Sequence, residues 1–322
     1  MKTRLVKAFF AYSIICVALS FGGQKKNYSS LPDSVINALP KKGCITFVAF
    51  GDWGWNGQYA QTLVADALGE VAHVVDAGFI VSCGDNFQVD GVRSVTDPLW
   101  QENFENVYKN ISLQVDWYPV LGNHDYKGNP QAEIDYSKIS RRWNMPARYY
   151  VVHKVGCNDA ASLDLYMLDT SPFQKQYYKN DVHAVKGQDT AAQLRWLDSS
   201  LAVSTSRWKI CVGHHSLYTG GMHAPELTEM PGRFEPIFAK YNVDAYFSGH
   251  DHDLEHITSK KSKVNFFVSG CGGEPRPVKK TEGTQFMSSE AGFMLVNVSQ
   301  NEMTVSAINT KGTVLYSVTL TK

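Results

Sequence analysis

No charge of either sign predominates in this chain, because lysine plus arginine and aspartate plus glutamate each number 31. That balance argues against a broad basic surface and so against nucleic acid as the partner. Cysteine is scarce: six occur in 322 residues, none in a CxxC pair, which speaks against a zinc knuckle. There is no internal repeat, no low-complexity tract and no linker-like stretch dividing the chain. With 43% hydrophobic and 19% charged residues the chain can bury a substantial core.

The one long apolar run lies at the N-terminus. Lys2, Arg4 and Lys7 precede the stretch from Ala8 to Phe21, and Gly22, Gly23 and Gln24 open a polar segment. A basic flank, a short apolar run and small residues describe a signal peptide over 1–22, with an uncleaved anchor as the alternative. The run is too short for a comfortable membrane span. Cys16 has no lipobox before it, so no lipoprotein is expected. A polar lead-in over 23–43 and one domain over 44–322 follow, secreted or periplasmic, with no membrane partner once the signal is removed. Export would permit a disulfide between Cys157 and Cys271, both in loop-like contexts, whereas Cys83 and Cys211 lie in apolar runs as small core residues. Sequons stand at Asn27, Asn110 and Asn297.

Hydrophobic periodicity predicts strands over 44–50, 78–83, 115–121, 149–155, 163–169, 208–212 and 243–248. Helical spacing is expected over 58–76, where Leu63, Val64, Ala67, Leu68, Val71, Val74 and Val75 share a face, and over 97–108, 190–201 and 235–241. Residues 255–258, 264–269, 292–297, 302–308 and 314–319 read as strands alone, which suggests a second sheet packing on the first. Nearly continuous apolar strands alternating with helices indicate an α/β fold with helices covering the sheet.

Five of the buried strands end in glycine followed by a residue type that ligates metals: Asp52, Asp85, Asn123, His214, and His250 with His252. In open α/β sheets the ligand site lies beyond the carboxyl ends of the strands. Convergence there gathers two carboxylates, one amide and three imidazoles, a mixed nitrogen and oxygen set that suits first-row transition metals. That is too many ligands for one ion with an open position, and suits a pair about 3.5–4 Å apart sharing a carboxylate. Glycine before each ligand is expected to let the backbone turn sharply.

The blocks GDWG, GDNF, GNHD, VGHH and GHDH, in this order, resemble those of the calcineurin-like metallophosphoesterases, and GNHDY with GHDHDLEH resembles the tartrate-resistant, or small purple, acid phosphatases. The resemblance covers about residues 44–308. It implies a four-layer α-β-β-α sandwich of two mixed sheets flanked by helices. It places Asp52 and His252 on a first metal, Asp85 as the bridge, and Asn123, His214 and His250 on a second. It assigns phosphate contact to His124 and His223, one of which protonates the leaving oxygen. Hydrolysis of a small phosphomonoester by in-line attack of metal-bound hydroxide is the implied activity. The alternatives are a phosphodiesterase or nucleotide-cleaving relative, or a non-catalytic metal- or phosphate-binding protein. His215 is expected to be a pocket wall. His73, His153, His183 and His256 are expected to be structural or solvent-facing, and the tryptophans and residues 145–150 to be core.

Gln88 departs from the pattern. Purple acid phosphatases carry a tyrosine there, whose phenolate binds iron(III) beside a divalent ion. Other metallophosphoesterases supply a histidine two residues after the first aspartate, and here that residue is Gly54. Loss of one negative ligand favours a pair of divalent ions such as Mn, Zn or Fe(II), with Gln88 as a weak ligand or water in its stead.

Overall fold

A computed structural model of the chain describes residues 31–39, 43–158 and 160–322. The expected signal peptide lies outside them, as does most of the lead-in. Among the described residues no helix is long and apolar enough to cross a membrane.

In chain order the elements are α1 (Asp33–Ala38), β1 (Ile45–Phe50), α2 (Gln61–Val75), β2 (Phe79–Ser82), β3 (Asp116–Pro119), α3 (Pro130–Tyr136), β4 (Tyr150–Gly156), β5 (Ala161–Met167), α4 (Thr190–Val203), β6 (Trp208–Val212), α5 (Met230–Lys240), β7 (Ala245–Ser248), β8 (Leu254–Thr258), β9 (Asn265–Ser269), β10 (Thr284–Ser288), β11 (Gly292–Val298), β12 (Glu302–Asn309) and β13 (Val314–Thr321). They form two mixed sheets, one ordered β13-β12-β11-β1-β2-β3 and the other β10-β8-β9-β7-β6-β5-β4. In the first, β1, β2 and β3 run parallel. In the second, β5, β6, β7 and β9 do. The strands whose ends carry the expected ligands, β1, β2, β3, β6 and β7, are all among these parallel ones.

The tail does not build a separate sheet, as its unbroken run of strands suggested. It divides: β11 pairs antiparallel with β1 and extends the first sheet, while β9 joins β7 and extends the second. Periodicity reports which face of a strand is buried, not which strand it pairs with. The two inner faces share one core, in which Phe47 and Ile80 from the first sheet join Leu163, Val212 and Phe247 from the second. Val64, Leu68, Val71 and Val75 of α2 bury against the same core. Outside the second sheet, Leu197 and Leu201 of α4 and Phe234 and Phe238 of α5 cover Tyr166, Tyr246 and Phe266.

Local chemistry fixes the helix ends. Asp189 caps α4 by accepting the Ala192 N–H at 2.9 Å. Gln61 opens α2, its side-chain oxygen accepting the N–H groups of Trp55 and Gly57 at 3.0 and 2.7 Å. Leu63, expected on the buried face, is exposed, and Ala65 is buried in its place. The stretch expected as a helix over 97–108 contains a π-helical turn, Trp100–Glu105. This widened turn seats Trp100 and Phe104 in an aromatic cluster with Trp53, Phe87, Tyr108, Trp117 and Trp143, whose ring centroids lie 4.7–6.5 Å apart. Trp53 follows Asp52, and Phe87 is two residues past Asp85, so the cluster packs directly behind the strand ends.

The disulfide differs from the expected one. Cys44 pairs with Cys157, 113 residues apart in sequence, with Cα atoms 5.0 Å apart. Cys271 is a buried thiol that donates to the His252 carbonyl at 3.3 Å. The pairing follows from packing between sheets: Gly156 lies so close to the start of β1 that a Cβ on it would sit 2.4 Å from the Cys44 carbonyl oxygen. The Asn297 sequon is also constrained, since that side chain is buried and accepts the Thr46 hydroxyl at 2.9 Å.

Closing a loop of this length constrains the unfolded chain by about 4–5 kcal/mol in the chain-entropy model. Cys44→Ser should therefore lower the melting temperature markedly. Peptide mapping without reductant should recover Cys44 linked to Cys157 in the wild type. Recovery of Cys157 linked to Cys271 would contradict the structure.

Candidate metal centre

The site is assembled across the two sheets by backbone carbonyls and carboxylates. From the first sheet, β1 delivers Asp52, β2 delivers Asp85 and the turn after β3 delivers Asn123. From the second, β6 delivers His214, and the turn after β7 delivers His250 and His252. All six are buried. The His250 N–H donates to Asp52 Oδ2 at 2.9 Å, and His214 Nδ1 donates to the Cys83 carbonyl at 3.0 Å. Each bond ties an expected ligand of one sheet to a strand end of the other.

Fixing the proton on Nδ1 of His214 leaves its Nε2 as a lone pair. That atom lies 3.0 Å from Asn123 Oδ1 and 3.4 Å from Asp85 Oδ1, both acceptors. His250 Nδ1 reaches the same point, 3.0 Å from Asn123 Oδ1 and 3.2 Å from His214 Nε2. A second convergence lies beside it. His252 Nδ1 donates to the Glu274 carbonyl at 2.9 Å, so its Nε2 lone pair faces Asp52 Oδ1 at 3.5 Å. Asp52 Oδ1 and Gln88 Oε1 are buried acceptors with no hydrogen-bond partner. Acceptors directed at acceptors in a buried site form a donor set that could hold a cation, and His–carbonyl bonds of this kind fix which nitrogen would face it.

The titration behaviour fits. Burial, then the neighbouring His215 and His214, hold His250 well below the usual imidazole range. Burial and then the Arg276 guanidinium bring His252 down to about 4. Both are therefore neutral, the form in which an imidazole can hold a metal. Burial raises the Asp52 carboxyl well above its usual range, and the neighbouring Asp85 adds to the rise. Without a cation the pair resists carrying two charges.

The turns that aim these residues differ from the expected ones. Asp52, Asp85 and His250 themselves adopt left-handed backbone, with φ of 58°, 49° and 71°. The glycine before Asp85 turns as well, with φ of 91°, whereas those before Asp52 and His250 supply close approach instead, a Cβ on Gly249 falling 2.2 Å from Asp52 Oδ2. A Cβ on Gly122 would sit 2.1 Å from Asp85 Oδ1, and the Asp85 carboxylate is gripped there by the His124 N–H at 2.8 Å. Gly54 shows why this chain has no histidine at that position, since a Cβ would fall 2.1 Å from the Asn86 carbonyl oxygen. Gln88 is buried beside it, its amide nitrogen 3.4 Å from Asp85 Oδ2.

His124 and His223 flank the set. His124 Nε2 lies 3.9 Å from Asp85 Oδ2, and the His223 ring centroid lies 4.4 Å from that of His250. His215 is a wall: its Nδ1 and Nε2 are engaged by Thr170 Oγ1 and the Tyr177 hydroxyl, each at 2.9 Å. His73 is exposed, His153 pairs with Asp164 at 2.7 Å, and His256 bonds Asn265 and Tyr316. His183 stacks on Tyr177 at 4.1 Å, with its Nδ1 buried and unpartnered.

Several contributors had no signal in the sequence. The Cys83 and Glu274 carbonyls that orient His214 and His252 are backbone atoms. Lys127 places its ammonium 3.1 Å from His124 Nδ1. Val89 is exposed, holds φ at 74° and turns its carbonyl to within 3.1 Å of the same nitrogen. A β-branched residue at positive φ is strained, and such strain clusters at functional sites.

Comparison with known proteins accords with this geometry. The family model for calcineurin-like phosphoesterases matches residues 45–254. Purple acid phosphatase 3 of Arabidopsis thaliana is 35% identical over 324 aligned positions, covering 96% of this chain and 85% of its own. Human tartrate-resistant acid phosphatase type 5 is 32% identical, covering 90% and 94%. Among solved structures, GAP50, the anchor in the inner membrane complex of Plasmodium, superposes with a TM-score of 0.75 at 25% identity, covering 87% of this chain and 89% of that one. By fold, site geometry and sequence alike, the chain belongs to the calcineurin-like phosphoesterase family and is related to its purple and tartrate-resistant acid phosphatases.

Proposed function

We propose that this protein is a dinuclear phosphatase that hydrolyses small phosphomonoesters, with Asp52, His252 and Asp85 at one metal and Asp85, Asn123, His214 and His250 at the other. Its relatives support a metal-dependent phosphatase. The observation that carries the metal assignment is the pair of acceptor-to-acceptor contacts, His214 Nε2 to Asp85 Oδ1 at 3.4 Å and His252 Nε2 to Asp52 Oδ1 at 3.5 Å. Two cations there supply Lewis acidity and make water acidic enough to act as a nucleophile.

The protein's own groups do the rest. His124, anchored through its backbone N–H to Asp85 and through its ring to Val89, is placed, as an imidazolium, to donate from Nε2 to a non-bridging phosphoryl oxygen as charge develops. His223 sits across from it, half-buried over His250 with Glu226 Oε2 at 3.6 Å from its Nδ1. That position suits delivery of a proton to the departing alkoxide. Neither histidine belongs to the proposed ligand set, so the presence of both favours catalysis over a non-catalytic anchor on the same fold. The Cys44–Cys157 disulfide and the basic-then-apolar N-terminus support an exported enzyme.

Gln88 sets the metals. Its unpartnered Oε1 and the unpartnered Asp52 Oδ1 leave the first position with a neutral amide in place of an anionic phenolate. Replacing a trivalent ion by a divalent one restores the charge of a buried site that has lost one negative ligand. The purified enzyme should be colourless and hold two divalent ions, and Gln88→Tyr should favour iron(III) and bring in a visible charge-transfer band. A wild-type protein already purple, or holding iron(III) at full occupancy, contradicts the charge argument.

Proton delivery is tested separately. His223→Ala should slow esters of poor leaving groups by about 10²–10⁴-fold while changing activated aryl esters little, because the latter hardly need an acid. Steady-state rates on the two ester classes decide it, and equal losses on both would show that His223 only positions phosphate.

A further inference from the structure

The loop that carries His223, residues 219–223, is fastened by buried acids that are not among the proposed ligands. Asp251, Asp253 and Glu255 follow one another on alternate positions leading into and along β8, each 1% exposed or less. Glu255 accepts the Thr219 hydroxyl at 2.7 Å and the Gly220 N–H through both oxygens, at 3.0 and 2.9 Å. Asp251 Oδ1 accepts the His223 N–H itself at 2.9 Å. Between these anchor points the loop presses down so closely that a Cβ on Gly221 would sit 2.3 Å from Asp251 Oδ1. The Thr219 hydroxyl oxygen accepts the Gly221 N–H at 2.8 Å, and Lys279 N–H closes the outer side by donating to the Gly220 carbonyl at 3.0 Å.

Three carboxyl groups buried on so short a segment are costly to a fold that needs only stability, where apolar residues of similar size serve as well. The groups facing Asp251 and Glu255 are N–H and O–H donors of the loop, which is what a hydrogen-bonded anchor requires and not what a cation site offers. Asp251 Oδ2 and both oxygens of Asp253 are buried without a hydrogen-bond partner.

We propose that Asp251 and Glu255 are positioning residues, which hold the 219–223 loop so that the His223 imidazole stays over His250 for proton delivery. This rests on His223 being the proton donor. Glu255 is the better handle, because Asp251 lies between two proposed metal ligands.

The test compares Glu255→Ala, Glu255→Gln and His223→Ala, measuring kcat and KM on an alkyl phosphate and on an activated aryl phosphate, with metal content determined on each protein. A misplaced catalytic group costs up to about 10²-fold. Glu255→Ala should slow the alkyl ester by about 10- to 10²-fold, change the aryl ester little, and leave metal content at the wild-type value. Glu255→Gln should recover most of the loss, since the amide oxygen still accepts the Gly220 N–H. Glu255→Ala combined with His223→Ala should be no slower than His223→Ala alone. If Glu255→Ala does not fold, Thr219→Val, which removes one of the three bonds, should show the same selectivity in smaller measure. Equal loss on both esters, or losses that multiply in the double variant, would overturn the positioning role. A selective loss in His223→Ala with none in Glu255→Ala would overturn that role alone, whereas no selectivity in His223→Ala would overturn the donor reading on which it rests.

Discussion

Lone pairs that face one another inside a protein must be reconciled by something positive. Here His214 Nε2 meets Asp85 Oδ1, and His252 Nε2 meets Asp52 Oδ1, with both imidazole protons already committed to the Cys83 and Glu274 carbonyls. Burial removes water as a remedy, and an unpaired polar group in such a place costs about 1–3 kcal/mol. On our proposal two cations resolve the conflict. The arrangement of both sheets then follows from the need to bring these atoms together from opposite halves of the core.

The backbone carries its share of that constraint. Asp52, Asp85 and His250 hold left-handed conformations that cost about 1–3 kcal/mol each for residues with a Cβ. They persist because the surroundings leave no alternative: Gly122 packs onto the Asp85 carboxylate, and Trp53 and Phe87 lock into the aromatic cluster beneath. Trp53 Nε1 donates to Ser82 Oγ at 2.8 Å, whose hydroxyl donates to Asn86 Oδ1 at 2.5 Å. Asn86 in turn donates to the Val120 carbonyl at 2.9 Å. A chain of bonds thus runs from the first ligand strand to the second and third. The same loop economy gives Asp125 its place, where it accepts the N–H groups of Gly122 and Phe87 at 2.8 and 3.0 Å and secures both ligand turns.

What could be read from the sequence was the part written in side chains at strand ends. Asp52, Asp85, Asn123, His214, His250 and His252 each follow an apolar run, so their convergence at one edge follows from parallel strands. Of the tryptophans expected in the core, Trp53, Trp100, Trp117, Trp143 and Trp208 are buried, while Trp55 and Trp196 are half-buried. Pairing across the molecule was harder. Cys44 looked like the first residue of a strand and Cys271 like a loop cysteine, yet contact between Gly156 and the start of β1 selected Cys44 as the partner of Cys157. The tail strands divided between sheets for the same reason, since burial alternation does not record a neighbour. Leu63 is apolar and so reads as part of the buried face, whereas the helix turns it outward. The strained Val89 and the orienting carbonyls of Cys83 and Glu274 act through the backbone, where no residue type announces them.

The most direct test of the account is metal analysis of Asp85→Ala beside the wild type, because Asp85 is the single residue proposed to touch both ions. Inductively coupled plasma mass spectrometry should find two metal ions per chain in the wild type. In Asp85→Ala both should be depleted and phosphatase activity abolished, while circular dichroism shows the core still folded. An Asp85→Ala protein that keeps two tightly bound ions and normal turnover would contradict the bridging assignment and the reading of the site built on it.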